Sequence, residues 1–454
     1  MRGAHECDPV QARGIETTIR DMTADGSTTP IISRVLPDGR LLETIFDPVR
    51  GQTALAVANP DGTVSVVHDW TSESGERLIP YSARNNLLAT GCVLLPSDVG
   101  EMGDKGDLVE AVQRFIHCYV DLSPAFEEIA AHYVLLTWVY DAFQELPYLR
   151  FRGDYGTGKT RALLTLGSIS YKPFFASGAS TVSPIFHVLD AFGGTLVLDE
   201  ADFRFSDATA EIAKVLNNGT VAGMPVLRTM TNRLRELNPQ AFSVFGPKIV
   251  GMRQHFADRA LESRFLTEET GQRPLRRDIS IGLPRALKAE ALELRNRLLA
   301  WRFAAQPTVT ADPSRLVPGI APRLNQTALA LLSIVDDQRV RDRIAAELVR
   351  EEARTIGERA SSFEATVLGA ICDVARENSG PGISVASVAR TLSSKILGNL
   401  QVPMTPKAVG FIIRTRLRLT TVKSRGVYVI PNTERGRIAA LAARYGVARA
   451  EGEE

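Results

Sequence analysis

Gly153-Asp154-Tyr155-Gly156-Thr157-Gly158-Lys159-Thr160 decides how the rest of this 454-residue chain is read. It fills every fixed position of the pattern G-x-x-x-x-G-K-[ST]. The spacing has a chemical reason. The glycines let the backbone curl so that successive N–H groups point inward at phosphate oxygens. Lys159 is expected to reach the outer phosphates of a nucleotide, and the Thr160 hydroxyl to sit on Mg²⁺. Residues 147–152 predict a short strand before the loop, and residues 161–169 the helix after it, whose N-terminus favours an anion. The whole stretch, with Arg161, is therefore assigned to nucleotide binding.

Downstream, residues 172–177 predict a second strand and 181–190 a helix. Thr195-Leu196-Val197-Leu198 then runs into Asp199-Glu200. A buried parallel strand presents carboxylates at its C-terminal edge in this way, next to the phosphate loop. Asp199 is assigned to Mg²⁺, directly or through water, and Glu200 to the general base that polarises the attacking water. Asp199-Glu200-Ala201-Asp202 also spells the tetrapeptide of the DEAD-box RNA helicases. In those proteins it lies much further from the phosphate loop, and their Ser-Ala-Thr motif and second RecA-like domain are missing here, so the match is taken as coincidence.

The layout resembles AAA+ ATPases over about residues 105–340, and more narrowly the MCM-like and plasmid- or phage-encoded helicase ATPases. That resemblance implies a ring, expected to be a hexamer, with ATP between subunits and Lys159, Thr160, Asp199 and Glu200 contributed by one of them. It implies that a hairpin before the fourth core strand touches DNA backbone through Arg228, Arg233 and Arg235. It implies a polar sensor after the strand at 248–252. The family usually has Asn or Thr there; this chain offers Arg253 or Gln254, and Gln254 is taken. The segment 257–265 resembles the one that carries the arginine finger, with Arg264 as first choice and Arg259 as second. Arg323, in the first turn of a later helix, matches the arginine that the helical lid brings onto the γ-phosphate.

Composition bounds these expectations. At 44% apolar and 23% charged residues, the chain is an ordinary globular one, and a net charge of +1 gives it no overall basic signature. Cys7, Cys92, Cys118 and Cys372 have no paired spacing, which argues against a zinc site or a disulfide framework and for a reducing cytoplasm. The first residues contain no apolar run of the kind a signal peptide has, and no apolar stretch is long enough to span a bilayer.

The fold class expected is α/β: an AAA+ P-loop NTPase core, a parallel sheet flanked by helices, with an N-terminal β-rich domain and a C-terminal winged helix. Residues 1–30 are polar and predicted disordered. Residues 31–104 form the β-rich domain, punctuated by the turns Pro37-Asp38-Gly39 and Pro60-Asp61-Gly62. Residues 105–283 form the core with two leading helices, whose His117 and His132 are read as structural. Residues 284–360 form a helical lid and linker helix, and 361–445 the winged helix with a terminal helix. Between 361 and 431 nine Lys and Arg face three acids, so the charge is concentrated here. Lys407 and Arg414 on its third helix, and Lys423 and Arg425 on its hairpin, are assigned to DNA. Together these readings predict an ATP-dependent DNA motor of replicative helicase type, using ATP and Mg²⁺. A helicase-loader-like switch and a DNA-bound ATPase regulator remain open alternatives.

Overall fold

The two Pro-Asp-Gly turns each reverse the chain and pair it with itself. In the computed structural model, strands β2 (Ser33–Val35), β3 (Leu41–Asp47), β4 (Gln52–Ala58) and β5 (Val64–Val67) follow β1 (Thr28–Ile31) and form one antiparallel sheet in chain order. A second sheet, ordered β1-β7-β6, holds β6 (Trp70–Thr71) and β7 (Arg77–Pro80). Leu42, Leu55 and Val57 pack with Ile31, Leu36 and Leu78 in a small core. The residues described are 28–73, 75–200, 207–231, 237–256, 258–360, 362–377, 380, 382–396, 404–424 and 426–447. The chain forms two compact units, 1–346 and 347–454, and the β-rich segment belongs to the first of them together with the nucleotide core.

Glu43 of β3 explains that membership. It is only 2% exposed and sits in the core among ions. Its Oε1 accepts from Arg302 Nε (2.7 Å) and from the Tyr171 hydroxyl (2.6 Å), and Lys172 Nζ lies 3.2 Å from its Oε2. Arg302 also pairs with Asp141 at 2.7 Å and donates to the Trp138 carbonyl. Four segments distant in sequence thus meet on two cations and two carboxylates, which hold one another against the cost of leaving water.

Helix α1 (Asn86–Ala89) is a single turn. Helices α2 (Lys105–Tyr119) and α3 (Pro124–Trp138) are capped by Asp104 and Ser123 side chains. On α2 the buried residues are Leu108, Val112, Phe115, Ile116 and Tyr119, the stripe its periodicity predicts, whereas α3 is buried all round from Ile129 to Trp138. The Tyr133 hydroxyl pins α3 to the sheet, accepting from the Lys248 N–H at 3.0 Å and donating to the Pro147 carbonyl at 3.1 Å.

The central sheet is built from β8 (Tyr148–Arg152), β9 (Phe174–Ser177), β10 (Leu196–Asp199), β13 (Lys248–Met252) and β14 (Phe265–Glu269). All five are parallel, in the order β14-β8-β13-β10-β9. Such a sheet must be covered on both faces. Helix α4 (Lys159–Ile169) packs on β8, β10 and β13, and α5 (Val182–Phe192) on α6 (Asp207–Asn218). This parallel sheet flanked by helices fits a P-loop NTPase core. Between α6 and β13 the hairpin β11 (Val226–Thr231) and β12 (Leu237–Phe242) projects as an antiparallel pair. The short α7 (Arg259–Glu262) precedes β14, and α8 (Ala286–Ala305), α9 (Pro322–Ser333) and α10 (Gln338–Ala360) follow.

The second unit has α11 (Phe363–Glu377), β15 (Gly382–Ser384), α12 (Val385–Ile396), α13 (Pro406–Thr415), β16 (Val422–Ser424), β17 (Val427–Pro431) and α14 (Arg435–Arg444). The strands form one sheet, β15-β17-β16, against a core that includes Val367, Ile371, Val388, Leu392, Val409 and Ile413. Among the described residues no helix is long and apolar enough to cross a membrane.

Candidate nucleotide site

The glycine loop joins the C-terminal end of β8 to the N-terminus of α4. Gly156 (φ 71°) and Gly158 (φ 90°) adopt left-handed backbone that L side chains rarely take, and the second caps α4. Here the loop turns its first helical N–H groups outward without intrahelical partners. Gly153 is required for a different reason: a Cβ there would lie 2.3 Å from Thr270 Oγ1 and 2.5 Å from the Thr270 carbonyl. Thr270, just after β14, braces the loop. Its N–H bonds to the Arg152 carbonyl (2.7 Å) and its Oγ1 lies 2.8 Å from Thr157 Oγ1. Lys159 Nζ donates to the carbonyls of Gly153 (2.7 Å) and Asp154 (2.5 Å), which hold it beside the loop.

β10 delivers Asp199 to the same edge. Thr160 Oγ1 donates to Asp199 Oδ2 at 2.6 Å, and Oδ1 accepts from the Glu200 N–H at 2.9 Å. Because β13 lies between β8 and β10, the carboxylate reaches the loop across that strand, and Gly251 of β13 makes room for it: a Cβ there would lie 2.9 Å from Asp199 Oδ1. Glu200 follows at φ 53°, a strained backbone for a non-glycine residue, and is exposed at the sheet edge. The fit to Mg²⁺ rests on these atoms. The ion takes hard oxygen ligands, usually one or two from protein with the rest from phosphates and water. Thr160 Oγ1 and Asp199 Oδ2 are two such oxygens side by side at the mouth of a phosphate cradle.

Other predicted residues go elsewhere. The Arg161 side chain turns to other segments: its Nε donates to the Tyr119 carbonyl at 2.6 Å and an Nη to the Ile281 carbonyl at 3.0 Å, so it ties α2 to the chain beyond β14. After β13 the structure brings Arg253 to the loop. Its guanidinium lies 3.9 Å from the Tyr155 ring centroid and donates to the Tyr155 hydroxyl, while Gln254 is exposed one residue further on.

Arg264 precedes β14, and its carbonyl accepts from the N–H of Tyr148, the first residue of β8. It therefore sits at the N-terminal edge of the sheet, a five-residue strand or about 16 Å from its own loop. Its guanidinium is half-buried against the Asn217 carbonyl at the end of α6, and burial, then the charge of Arg323, pushes its pKa down. Arg323 lies in the field of Arg264 and of Glu145, which accepts from Gln326 at 2.5 Å. That places it at the same edge as Arg264. The segment carrying Arg264 is fastened to β8 by Arg150, only 2% exposed, whose Nη1 pairs with Glu262 at 2.7 Å. Burial would raise the Glu262 carboxyl, but Arg150 outweighs it and holds it below the usual range. Arg259 starts α7 and its side chain lies outside the described residues.

The sequence assigns Arg228 to DNA; in the structure it folds back at the hairpin base. It pairs with Glu211 of α6 at 2.9 Å and covers the Phe186 ring at 5.1 Å, so its charge is already neutralised. Arg233, Arg235 and Arg425 lie outside the described residues. Beneath the hairpin, buried Lys248 donates to the carbonyls of Val244 (2.8 Å) and Gly246 (2.9 Å), and burial brings its pKa down to about 7. His132 is buried with Nδ1 2.8 Å from the Glu128 carbonyl, and His117 pairs with Glu127 at 2.9 Å. In the second unit Lys407, Arg414 and Lys423 are exposed, with Arg414 donating to Thr421 Oγ1 at 3.2 Å.

No family model matches the chain. No curated protein matches it either. Solved structures with some likeness include the apo C-terminal region of NrS-1 (13% identity, TM-score 0.35, 86% of this chain and 97% of that one). Others are the JCV helicase (15%, TM-score 0.22, 58% and 64%) and the Aeropyrum pernix ORC1 protein in complex with DNA (16%, TM-score 0.21, 72% and 93%). At scores of this size the likeness decides neither fold nor chemistry, and both rest on the residues themselves.

Proposed function

We propose that the chain is an ATP-hydrolysing motor of the AAA+ kind that acts on DNA, as a ring-forming helicase or translocase of replicative type, most simply a hexamer. The observation that carries the reading is the Thr160–Asp199 contact at the mouth of the glycine loop. The loop N–H groups and Lys159 bind the phosphates and orient them. Thr160 and Asp199 would hold Mg²⁺, which supplies charge neutralisation on the phosphates when bound. Glu200 accepts the proton of the attacking water. Arg253 is positioned to report on the loop through Tyr155.

Arg264 and Arg323 lie at the edge remote from their own loop, so each would reach a nucleotide only on a neighbouring copy. Heterologous contacts of this kind form a ring when the rotation between copies closes. The hairpin, through Arg233 and Arg235, would meet DNA in the ring, with Arg228 bracing its base. The second unit, in which α11, α12, α13 and a small sheet precede the terminal helix α14, is read as a winged helix that uses Lys407, Arg414, Lys423 and Arg425 on phosphates.

Subunit mixing tests the shared site. Lys159→Ala and Arg264→Ala proteins should each lose hydrolysis, the second by about 1000-fold if Arg264 acts as a finger. Mixed in equal amounts they should regain activity, because about a quarter of interfaces in a random ring then pair an intact loop with an intact finger. Full hydrolysis by Arg264→Ala alone, or no recovery at any mixing ratio, would count against the shared site.

A further inference from the structure

On α13 the residues Lys407, Phe411 and Arg414 are spaced four and three apart, so they share one helix face, while Val409 and Ile413 turn into the core. Phe411 is 59% exposed. The β16–β17 ribbon begins beside this face, since Arg414 bonds to Thr421 at 3.2 Å. On the ribbon Lys423 pairs directly opposite Tyr428, which puts both on one side of it, and Tyr428 is 54% exposed. Neither aromatic belongs to the core cluster of this unit, and both stand among basic residues in the stretch where nine Lys and Arg meet three acids.

We propose that this surface grips DNA where duplex gives way to unpaired strand, with Phe411 and Tyr428 stacking on unpaired bases while Lys407, Arg414 and Lys423 hold phosphates. The inference rests on the reading of this unit as a DNA-binding module. The charge selects a polyanion over an acidic-poor protein surface. The aromatics select its form. In the major groove of continuous duplex, only base edges and thymine methyls are offered, and an aromatic ring gains little there. Unpaired bases offer whole π-faces, and aromatic side chains stack on them whatever the sequence. Both rings are largely in water, so replacing them removes the contact without opening a cavity.

The test is equilibrium binding of the full chain, without ATP, to a blunt duplex and to a fork of the same duplex length carrying 2-aminopurine at the first unpaired positions. The wild type should prefer the fork by at least about fivefold, the low end of what one stacked base supplies. Phe411→Ala and Tyr428→Ala should each bring fork affinity down toward duplex affinity, leave the duplex affinity and its salt slope unchanged, and relieve the quenching of 2-aminopurine. Phe411→Trp should retain it. Lys407→Ala and Arg414→Ala should weaken both substrates and lower the salt slope by about one each. If the basic variants behave so while the aromatic variants weaken neither substrate, or weaken both alike, the stacking inference is overturned and the DNA reading stands. If the basic variants change nothing on either substrate, the DNA reading of this unit falls and the inference with it.

Discussion

A Glu200→Gln protein will bind ATP as the wild type does and hydrolyse it at least about 100-fold more slowly, the usual worth of a positioned general base. Glutamine keeps the size of the side chain and cannot take the proton. The Glu200 N–H remains to hold Asp199 Oδ1 at 2.9 Å, so the Thr160–Asp199 contact stays in place. Binding and turnover should therefore separate. Titration with a fluorescent ATP analogue measures the first, and phosphate release the second. Lys159→Ala makes the contrast, losing both, because Lys159 serves the phosphates before and during reaction. Equal losses of binding and turnover in Glu200→Gln would show that Glu200 holds the loop in shape rather than acting on water.

The second large effect concerns stability. Glu43→Gln should destabilise the first unit by about 3–5 kcal/mol, because it breaks a buried ion pair and strands its partners. Arg302 would keep Asp141 at 2.7 Å but face a neutral amide at its Nε, and Lys172 would lose the carboxylate 3.2 Å away. Glu76→Gln is the control. Its pair with Arg34 is similar in length at 2.9 Å but partly exposed, and exposed pairs contribute little to stability. Denaturant unfolding of both proteins measures the difference. A midpoint shift for Glu43→Gln no larger than the control's would mean the ions are solvated in ways the buried geometry does not allow.

Much of the core was legible in the sequence because its signals are local. The glycine loop needs left-handed backbone at Gly156 and Gly158, and only the sequence pattern can supply it there. The buried strand Leu196–Asp199 announces itself as an apolar run ending in acid. Glu43 was not legible, since in Leu41-Leu42-Glu43-Thr44-Ile45-Phe46 it reads as one polar residue in an ordinary strand. Its partners Tyr171 and Arg302 lie 128 and 259 residues away. The arginines were hardest. Arg161 and Arg228 carry the right charge at plausible positions, but a guanidinium goes to whichever carbonyl or carboxylate the tertiary fold brings within reach. For Arg161 these are the carbonyls of Tyr119 and Ile281, and for Arg228 the carboxylate of Glu211. Thr270 was missed for the same reason. No motif marks it, and only the parallel pairing of β14 with β8 sets it under Gly153.

The measurement that bears most directly on the motor reading is the steady-state rate of ATP hydrolysis by the full chain with Mg²⁺, alone and with single-stranded or forked DNA. The account predicts hydrolysis that DNA accelerates severalfold. Slow hydrolysis that is indifferent to every DNA offered would contradict it and leave a nucleotide-dependent switch or a DNA-bound regulator in its place.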